Sequence, residues 1–341
     1  MNAAIEPINP IDWPTSSSRR IRIVGPNPAM DRTQTIDRLE PGHVHRVRSV
    51  VARAGGKSFI VARTVRSLGV EVSMYGFLGG PVGAIAAEEC RDRGIDDRHT
   101  PIAGSTRITP VIVEVSTGRS TVLNEPGPEV TEAEIKQLRA KIAEDVLLGD
   151  LVVCTGSLPP GLPSSFYADV AELAHSRGAR LAVDASRDVL RHALAAAPWL
   201  VKCNRSEFAD ATGCAADGHD EAALRSIASA MVTQIERGSS IVIVTMGSAA
   251  FVVATADGLW QVAVPQIEAV NATGSGDTFL ACFMASVADG CSLSDSLRMA
   301  TAGGVVNAGQ LTPGLDDASG LVTFAAAVSF APLLELNQVP S

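Results

Sequence analysis

Aromatic residues, lysines and cysteines are all scarce in this chain of 341 residues. Aromatics make up only 4% of a composition that is 46% hydrophobic, so aliphatic side chains must supply most of the core. Apolar material in that amount excludes an intrinsically disordered chain. The only lysines are Lys57, Lys136, Lys141 and Lys202, and the formal charge is −9. A surface of that sign repels nucleic acid and anionic lipid, so neither is an expected partner. No apolar run reaches the ~20 residues of a spanning helix, and the longest candidate, near Phe324–Leu336, is short and holds a proline. The six cysteines (Cys90, Cys154, Cys203, Cys214, Cys282, Cys291) form no C-x-x-C pair and no zinc-type spacing, which argues against a disulfide framework or a structural metal. The first residues lack the basic-then-apolar order of a secretory signal, and the expected location is the cytoplasm.

What is present is a regular alternation. A segment rich in Pro, Asn and Ser runs to residue 20 and reads as a flexible tail. Ile21–Gly25 then reads as a strand, and alternation over Val44–Val51 suggests two strands with a Pro41-Gly42 turn. Helical spacing covers Ser58–Leu68, ending at Gly69, and Pro81–Arg93, ending at Gly94. Thr109–Val115 and Ser120–Leu123 form a hairpin pattern around Thr117-Gly118. Further on, helices alternate with strands at Leu151–Cys154, Arg180–Val183, Leu200–Lys202 and Ile241–Thr245, whose successive apolar positions imply a buried parallel sheet with helices on both faces. The expected organisation is one α/β domain over residues 21–330, with a small β excursion from segments within about 31–50 and 106–124, and a C-terminal tail over 331–341. Ligands of such sheets bind beyond the carboxyl ends of the strands.

Several segments fall there. In Val270–Phe279 (VNATGSGDTF), Gly274 and Gly276 flank Ser275 just before a helix, with Asp277 in the first turn. Backbone N–H groups and the helix dipole make such a loop an anion cradle, although an ordinary helix cap has the same residues. Ala54–Arg63 (AGGKSFIVAR) resembles the end of a Walker A loop, but Val51 stands where its first glycine is required, which argues against a P-loop. Gly55, Gly56 and Lys57 open a helix there, and a small ligand could come close to that backbone. Between Pro41 and Val70 there is no acidic residue, whereas Arg46, Arg48, Arg53, Lys57, Arg63 and Arg66 are present. That stretch is expected to create a positive field for a phosphorylated substrate, with a solvated helix face as the alternative. His43 and His45 form an H-x-H pair with no partner cluster in view. Lys202, Asn204 and Glu207 (in KCNRSEF) could meet phosphate and hydrated Mg²⁺, or serve as a capping box, or both. Thr155–Pro163 (TGSLPPGLP), which contains Ser157, and Val244–Ala250 (VTMGSAA) are further strand-to-loop junctions.

Taken in order, the segments NPAMD, AGGKSFIVAR, GFLGGPVG, STRIT, LNEPGPEVT, TGSLPPGLPSSFYA, KCNRSE and GSGDTF resemble those of PfkB-type carbohydrate kinases of the ribokinase-like superfamily. The similarity is greatest to the branch of 1-phosphofructokinases and tagatose-6-phosphate kinases, and it runs from about Ile21 to Leu315. The resemblance implies a three-layer α/β/α domain with a mostly parallel central sheet, and a small β-sheet lid through which two copies form a homodimer. It implies ATP- and Mg²⁺-dependent phosphoryl transfer to a sugar hydroxyl, with fructose 1-phosphate or tagatose 6-phosphate as first acceptors. By this resemblance Asp277 is the catalytic base, and the N–H groups of Gly274, Ser275 and Gly276 form the anion hole. Lys202, Asn204 and Glu207 match the nucleotide-phosphate and Mg²⁺-water positions, with Glu207 reaching the metal through water, and Thr245 and Gly247 match the nucleotide site. Asp31, Gly55, Gly56, Lys57, Arg107 and Ser157 match the substrate side. Ser275 in place of alanine is expected to be harmless, and Arg107 to offer a guanidinium fork to the substrate phosphate. Three positions depart from the family pattern: Ser58 replaces a glycine, while Ile60 and Thr109 replace asparagines. An isoleucine cannot hydrogen-bond a sugar, so a different sugar, polyol or sugar acid is the alternative acceptor. A sensor that binds without turnover is the alternative of another class.

Overall fold

The computed structural model describes residues 20–215, 221–248 and 250–334. The N-terminal part is built from β1 (Arg20–Val24), β2 (Ala29–Ile36), β3 (Ser49–Gly55), α1 (Gly56–Ser67), β4 (Glu71–Tyr75), β5 (Phe77–Leu78), α2 (Gly80–Arg93), β6 (Asp96–Asp97), β7 (Thr100–Pro101), β8 (Arg107–Glu114) and β9 (Ser120–Val122). Helices and strands then alternate, with one pair of consecutive helices: α3 (Glu132–Asp145), β10 (Leu151–Thr155), α4 (Phe166–Ser176), β11 (Arg180–Asp184), α5 (Arg187–Ala195), β12 (Leu200–Asn204), α6 (Arg205–Thr212), α7 (Glu221–Glu236) and β13 (Ile241–Thr245). The chain closes with β14 (Ala250–Thr255), β15 (Gly258–Ala263), α8 (Ser275–Ala288), α9 (Leu293–Ala308), α10 (Leu321–Ala326) and β16 (Ser329–Leu334).

Ten strands form one sheet in the order β16-β15-β14-β13-β12-β11-β10-β1-β4-β6, parallel from β13 to β6 and antiparallel from β13 to β16. Its central strands are apolar at successive positions because both faces are covered. Ile21, Ile23, Leu151, Val153, Ile241 and Ile243 join the core under α1, α8 and α9, and Val24, Val152, Cys154, Val242 and Val244 join the one under α3–α7. A period of two on each strand thus feeds two cores at once. None of the described helices is long and apolar enough to cross a membrane.

A separate four-stranded sheet, β3-β2-β8-β9, covers the carboxyl end of β1 as a lid. Two boundaries differ from expectation. The lid's second strand is Ser49–Gly55 and pairs with Ala29–Ile36, so it extends past the expected limit at residue 50. The alternation over Val44–Val51 belongs partly to the loop between them, whose turn does fall at Gly42 (φ +85°). The expected C-terminal tail begins inside β16, which pairs with β15. Pro332 lacks the N–H that a central strand requires, but β16 is an edge strand, where one row of donors needs no partner. The N-terminal tail, apart from Arg20 in β1, lies outside the described residues, as do residues 335–341.

Candidate active site

The carboxyl ends of β1, β10, β11, β12 and β13 and the start of α8 enclose two cavities. The larger, about 950 Å³, lies between the sheet and the lid and is lined by Asp31, Gly56, Lys57, Arg107 and Ser157 among others. The smaller, about 500 Å³, is lined by Lys202, Asn204, Thr245, Gly247, Ser275 and Gly276 among others. Four residues line both: Lys57, Glu207, Gly274 and Asp277. The expected site residues are therefore brought together, with one exception. Gly55 lines neither cavity; a Cβ there would stand 2.0 Å from Cγ of Asp31, so this glycine makes room for that carboxylate behind the site wall.

The loop before α8 is shaped by close approach. Gly274 has φ +79° and a Cβ on it would meet Pro313 at 2.6 Å, so the position excludes a side chain on two counts. A Cβ on Gly276 would meet Nζ of Lys202 at 2.7 Å, which puts that ammonium behind the loop. The N–H groups of Gly274 and Gly276 have no partner among the described residues, whereas Ser275 donates its N–H to the Ala272 carbonyl at 3.2 Å. The expected three-donor anion hole thus has two ready donors. Nor is the Ser275 side chain idle, because its Oγ accepts from Nδ2 of Asn307 at 3.0 Å. Asn307 is fully buried and also donates to the Thr273 carbonyl, while its Oδ1 accepts from Oγ1 of Thr278 and the N–H of Gly314. One amide therefore holds the loop, the first turn of α8 and the 313–314 segment together, and an alanine at 275 would break one of its bonds.

Asp277 is buried in this first turn. Burial, more than any neighbour, pushes its pKa up to about 6; Lys57 and Lys202 oppose this, and Asp184 and Asp31 add to it. Asp184, at the end of β11, is fully buried and was not among the expected residues. Its two oxygens each accept an ammonium, Nζ of Lys57 and Nζ of Lys202, both at 2.5 Å. Burial works against its charge, but the two lysines outweigh that and hold its pKa below the usual carboxylate value. In return, although burial opposes the Lys57 charge, Asp184, Asp277 and Glu207 hold its pKa above that of an ordinary lysine. The sequence signal was an acid closing an apolar strand at the end where ligands bind.

Asn204 and Glu207 form a capping box on α6, each accepting from the other's N–H at 2.9 Å, and both also line the smaller cavity. Thr245 donates weakly to the Cys203 carbonyl at 3.4 Å. On the lid side, burial raises the pKa of Asp31, against the opposing pull of the Gly56 N–H, Arg63 and Arg107. Ser157 accepts from Nδ2 of Asn27, a residue of the NPAMD segment whose Oδ1 is buried without a partner. Arg107 is buried, and its guanidinium donates to the carbonyls of Asn27 (twice) and Glu125 and to Oγ1 of Thr109. Four of its five N–H groups are thereby engaged, so the expected open fork is largely closed.

The expected basic field is local rather than general. Arg48 pairs with Asp37, Arg53 with Asp316 and Arg63 with Glu89, while Arg66 donates to the Arg93 carbonyl. None of these arginines lines either cavity, and Lys57 alone of that stretch does. Carboxylates from outside the stretch neutralise Arg48, Arg53 and Arg63. His43 and His45 both turn to Glu40.

A profile of the pfkB family of carbohydrate kinases matches residues 25–316. A 1-phosphofructokinase of Xanthomonas campestris pv. campestris is 34% identical over 311 residues, spanning 88% of this chain and 96% of its own. That of Escherichia coli strain K12 is 29% identical over 315 residues, spanning 92% and 99%. Among solved structures, phosphofructokinase-2 from Escherichia coli in complex with substrates and products superposes with a TM-score of 0.82 at 23% identity, covering 90% of this chain and 99% of that one. That likeness is one of fold.

Proposed function

The chain belongs to the pfkB family of carbohydrate kinases, and on that premise we propose that it transfers the γ-phosphoryl group of ATP to a hydroxyl of a ketohexose phosphate, fructose 1-phosphate or tagatose 6-phosphate first. Kinases of this family use ATP with Mg²⁺. The observation that carries the site assignment is the place of Asp277, where both cavities meet, beside two unpartnered N–H groups.

The larger cavity takes the sugar and the smaller one the nucleotide. Asp277 accepts the proton of the attacking hydroxyl; its pKa of about 6 leaves it ionised at neutral pH yet more basic than a free aspartate. The N–H groups of Gly274 and Gly276 point at the oxygens of the moving phosphoryl group, and Lys57 and Lys202 add positive charge fixed in place by Asp184. Glu207 has one carboxylate oxygen on the Asn204 N–H and the other without a partner among the described residues, which suits a hydrated Mg²⁺ held through water. Mg²⁺, when bound, neutralises nucleotide phosphate charge. Asp31, Gly56 and Ser157 face the sugar, and Arg107 lends it charge and one N–H. A release assay for ADP over a panel of phosphosugars tests the reading. Turnover with a ketohexose phosphate is expected, and turnover with unphosphorylated sugars alone would overturn the acceptor assignment.

A second acceptor reading rests on Ile60, which lines the larger cavity with no hydrogen-bonding group. Another sugar, polyol or sugar acid would then be the better substrate. Pairing of two copies through the lid is supported by exposed Val44, Val47, Val50, Val115 and Leu123 on or beside it, and light scattering on the purified protein reads it directly. Six unpaired thiols suit the cytoplasm.

A further inference from the structure

Among the described residues only Arg187 and Ala197 have positive φ without being glycine. Arg187 opens α5 at φ +55°, a left-handed conformation that a side chain with a Cβ adopts under strain. Strain of this kind persists where the side chain or its position is needed, and an observed outlier is the proper start for a functional argument. Arg187 is exposed, lines the larger cavity and has no hydrogen bond or ion pair among the described residues. The adjacent carboxylate does not hold it, because Asp188 pairs with Arg191. Its other neighbour, Ser186, lines the same cavity, and its hydroxyl makes no capping bond to α5.

The state of Arg107 gives this weight. A phosphate monoester is best held by two parallel N–H groups of one guanidinium, and Arg107 has a single N–H left after the carbonyls of Asn27 and Glu125 and the hydroxyl of Thr109 are served. Arg187 brings five unengaged N–H groups to the same cavity. We propose that Arg187, with the Ser186 hydroxyl, is the residue that grips a phosphate group already carried by the acceptor, remote from the hydroxyl that reacts, while Arg107 supplies mainly charge. This deepens the acceptor reading given above and rests on it for the identity of the larger cavity.

Titration calorimetry with fructose 1-phosphate and without nucleotide tests the grip apart from turnover. Arg187→Gly, which relieves the left-handed strain, is expected to weaken this binding roughly tenfold or more, with the melting temperature unchanged or higher and binding of ATP unaltered. Arg187→Lys is expected to recover part of the loss, since it restores the charge and not the fork. In kinetics the acceptor KM rises and kcat stays within about twofold, while an acceptor lacking the phosphate shows the same kcat/KM in both proteins. Unchanged phosphosugar binding in Arg187→Gly, or no binding to the wild type, would overturn the proposal. Weakened binding in a protein that phosphorylates no member of the panel would leave Arg187 standing and remove the reaction assigned to the cavity.

Discussion

The two cavities differ in how completely the protein has satisfied its own charges. Around the smaller one, Lys57 and Lys202 share Asp184, Asn204 and Glu207 cap α6, and Asn307 ties the loop before α8 to the first turn of that helix and to Gly314. Around the larger one, Ile60 offers no polar group, and among the described residues Asn27 Oδ1 has no donor and Arg187 no partner. The first region is preorganised by strand ends and a helix start, as electrostatic stabilisation of a phosphoryl group requires. The second is completed by its substrate. Phosphoryl transfer is thus built into the sheet, and acceptor choice is left to loops and the lid.

The contrast can be broken most sharply at Asp277. Asp277→Asn is expected to lower kcat by roughly 10²–10⁴, with sugar and nucleotide binding retained, as read by steady-state kinetics and calorimetry. In the wild type, kcat is expected to fall about tenfold per pH unit below pH 6, because the base is then protonated. Stability moves the other way. A carboxyl whose folded pKa is raised from 3.8 to about 6 disfavours folding at neutral pH, and that cost is relieved as pH falls through 6 towards 4. Melting temperatures in that window should therefore drop less for the wild type than for Asp277→Asn.

Next in size is Asp184→Asn, which leaves the buried Lys202 ammonium and the half-buried Lys57 ammonium facing a neutral amide. A loss of about 3–5 kcal/mol is expected, measured by denaturant unfolding, together with reduced kcat. The sign with pH is opposite to that of Asp277: the pKa of Asp184 is lowered, so its stabilisation is full above 3.8 and disappears only as pH falls through the lower folded value. The smallest effect belongs to the acceptor side. Ile60→Asn should raise kcat/KM on hexose phosphates a few-fold, in line with one neutral hydrogen bond of about 1 kcal/mol. No change on any hexose phosphate would favour a different acceptor.

Much of this was legible in the sequence, because its signals were local. Apolar strands flanked by amphipathic helices predicted the covered sheet, and glycines before Asp277 predicted a loop open to anions. What was missed depends on contacts between distant segments. Asp184 is meaningful only once Lys57 and Lys202, 127 and 18 residues away, converge on it. Arg48, Arg53 and Arg63 looked like part of a ligand field because their carboxylate partners, Asp37, Asp316 and Glu89, lie outside that stretch. Arg187 carried no signal, since composition does not report φ. β16 was missed because Pro332 argues against a strand until the strand is known to be outermost.

That outermost proline has a counterpart across the molecule. The opposite margin of the ten-stranded sheet is β6, two residues long and made of Asp96 and Asp97. One border lacks a donor and the other is short and anionic, so neither offers a template onto which a stray strand could zip. Growth by edge-to-edge polymerisation is discouraged at both limits of the main sheet, which helps a chain with so apolar a centre stay dispersed while it folds.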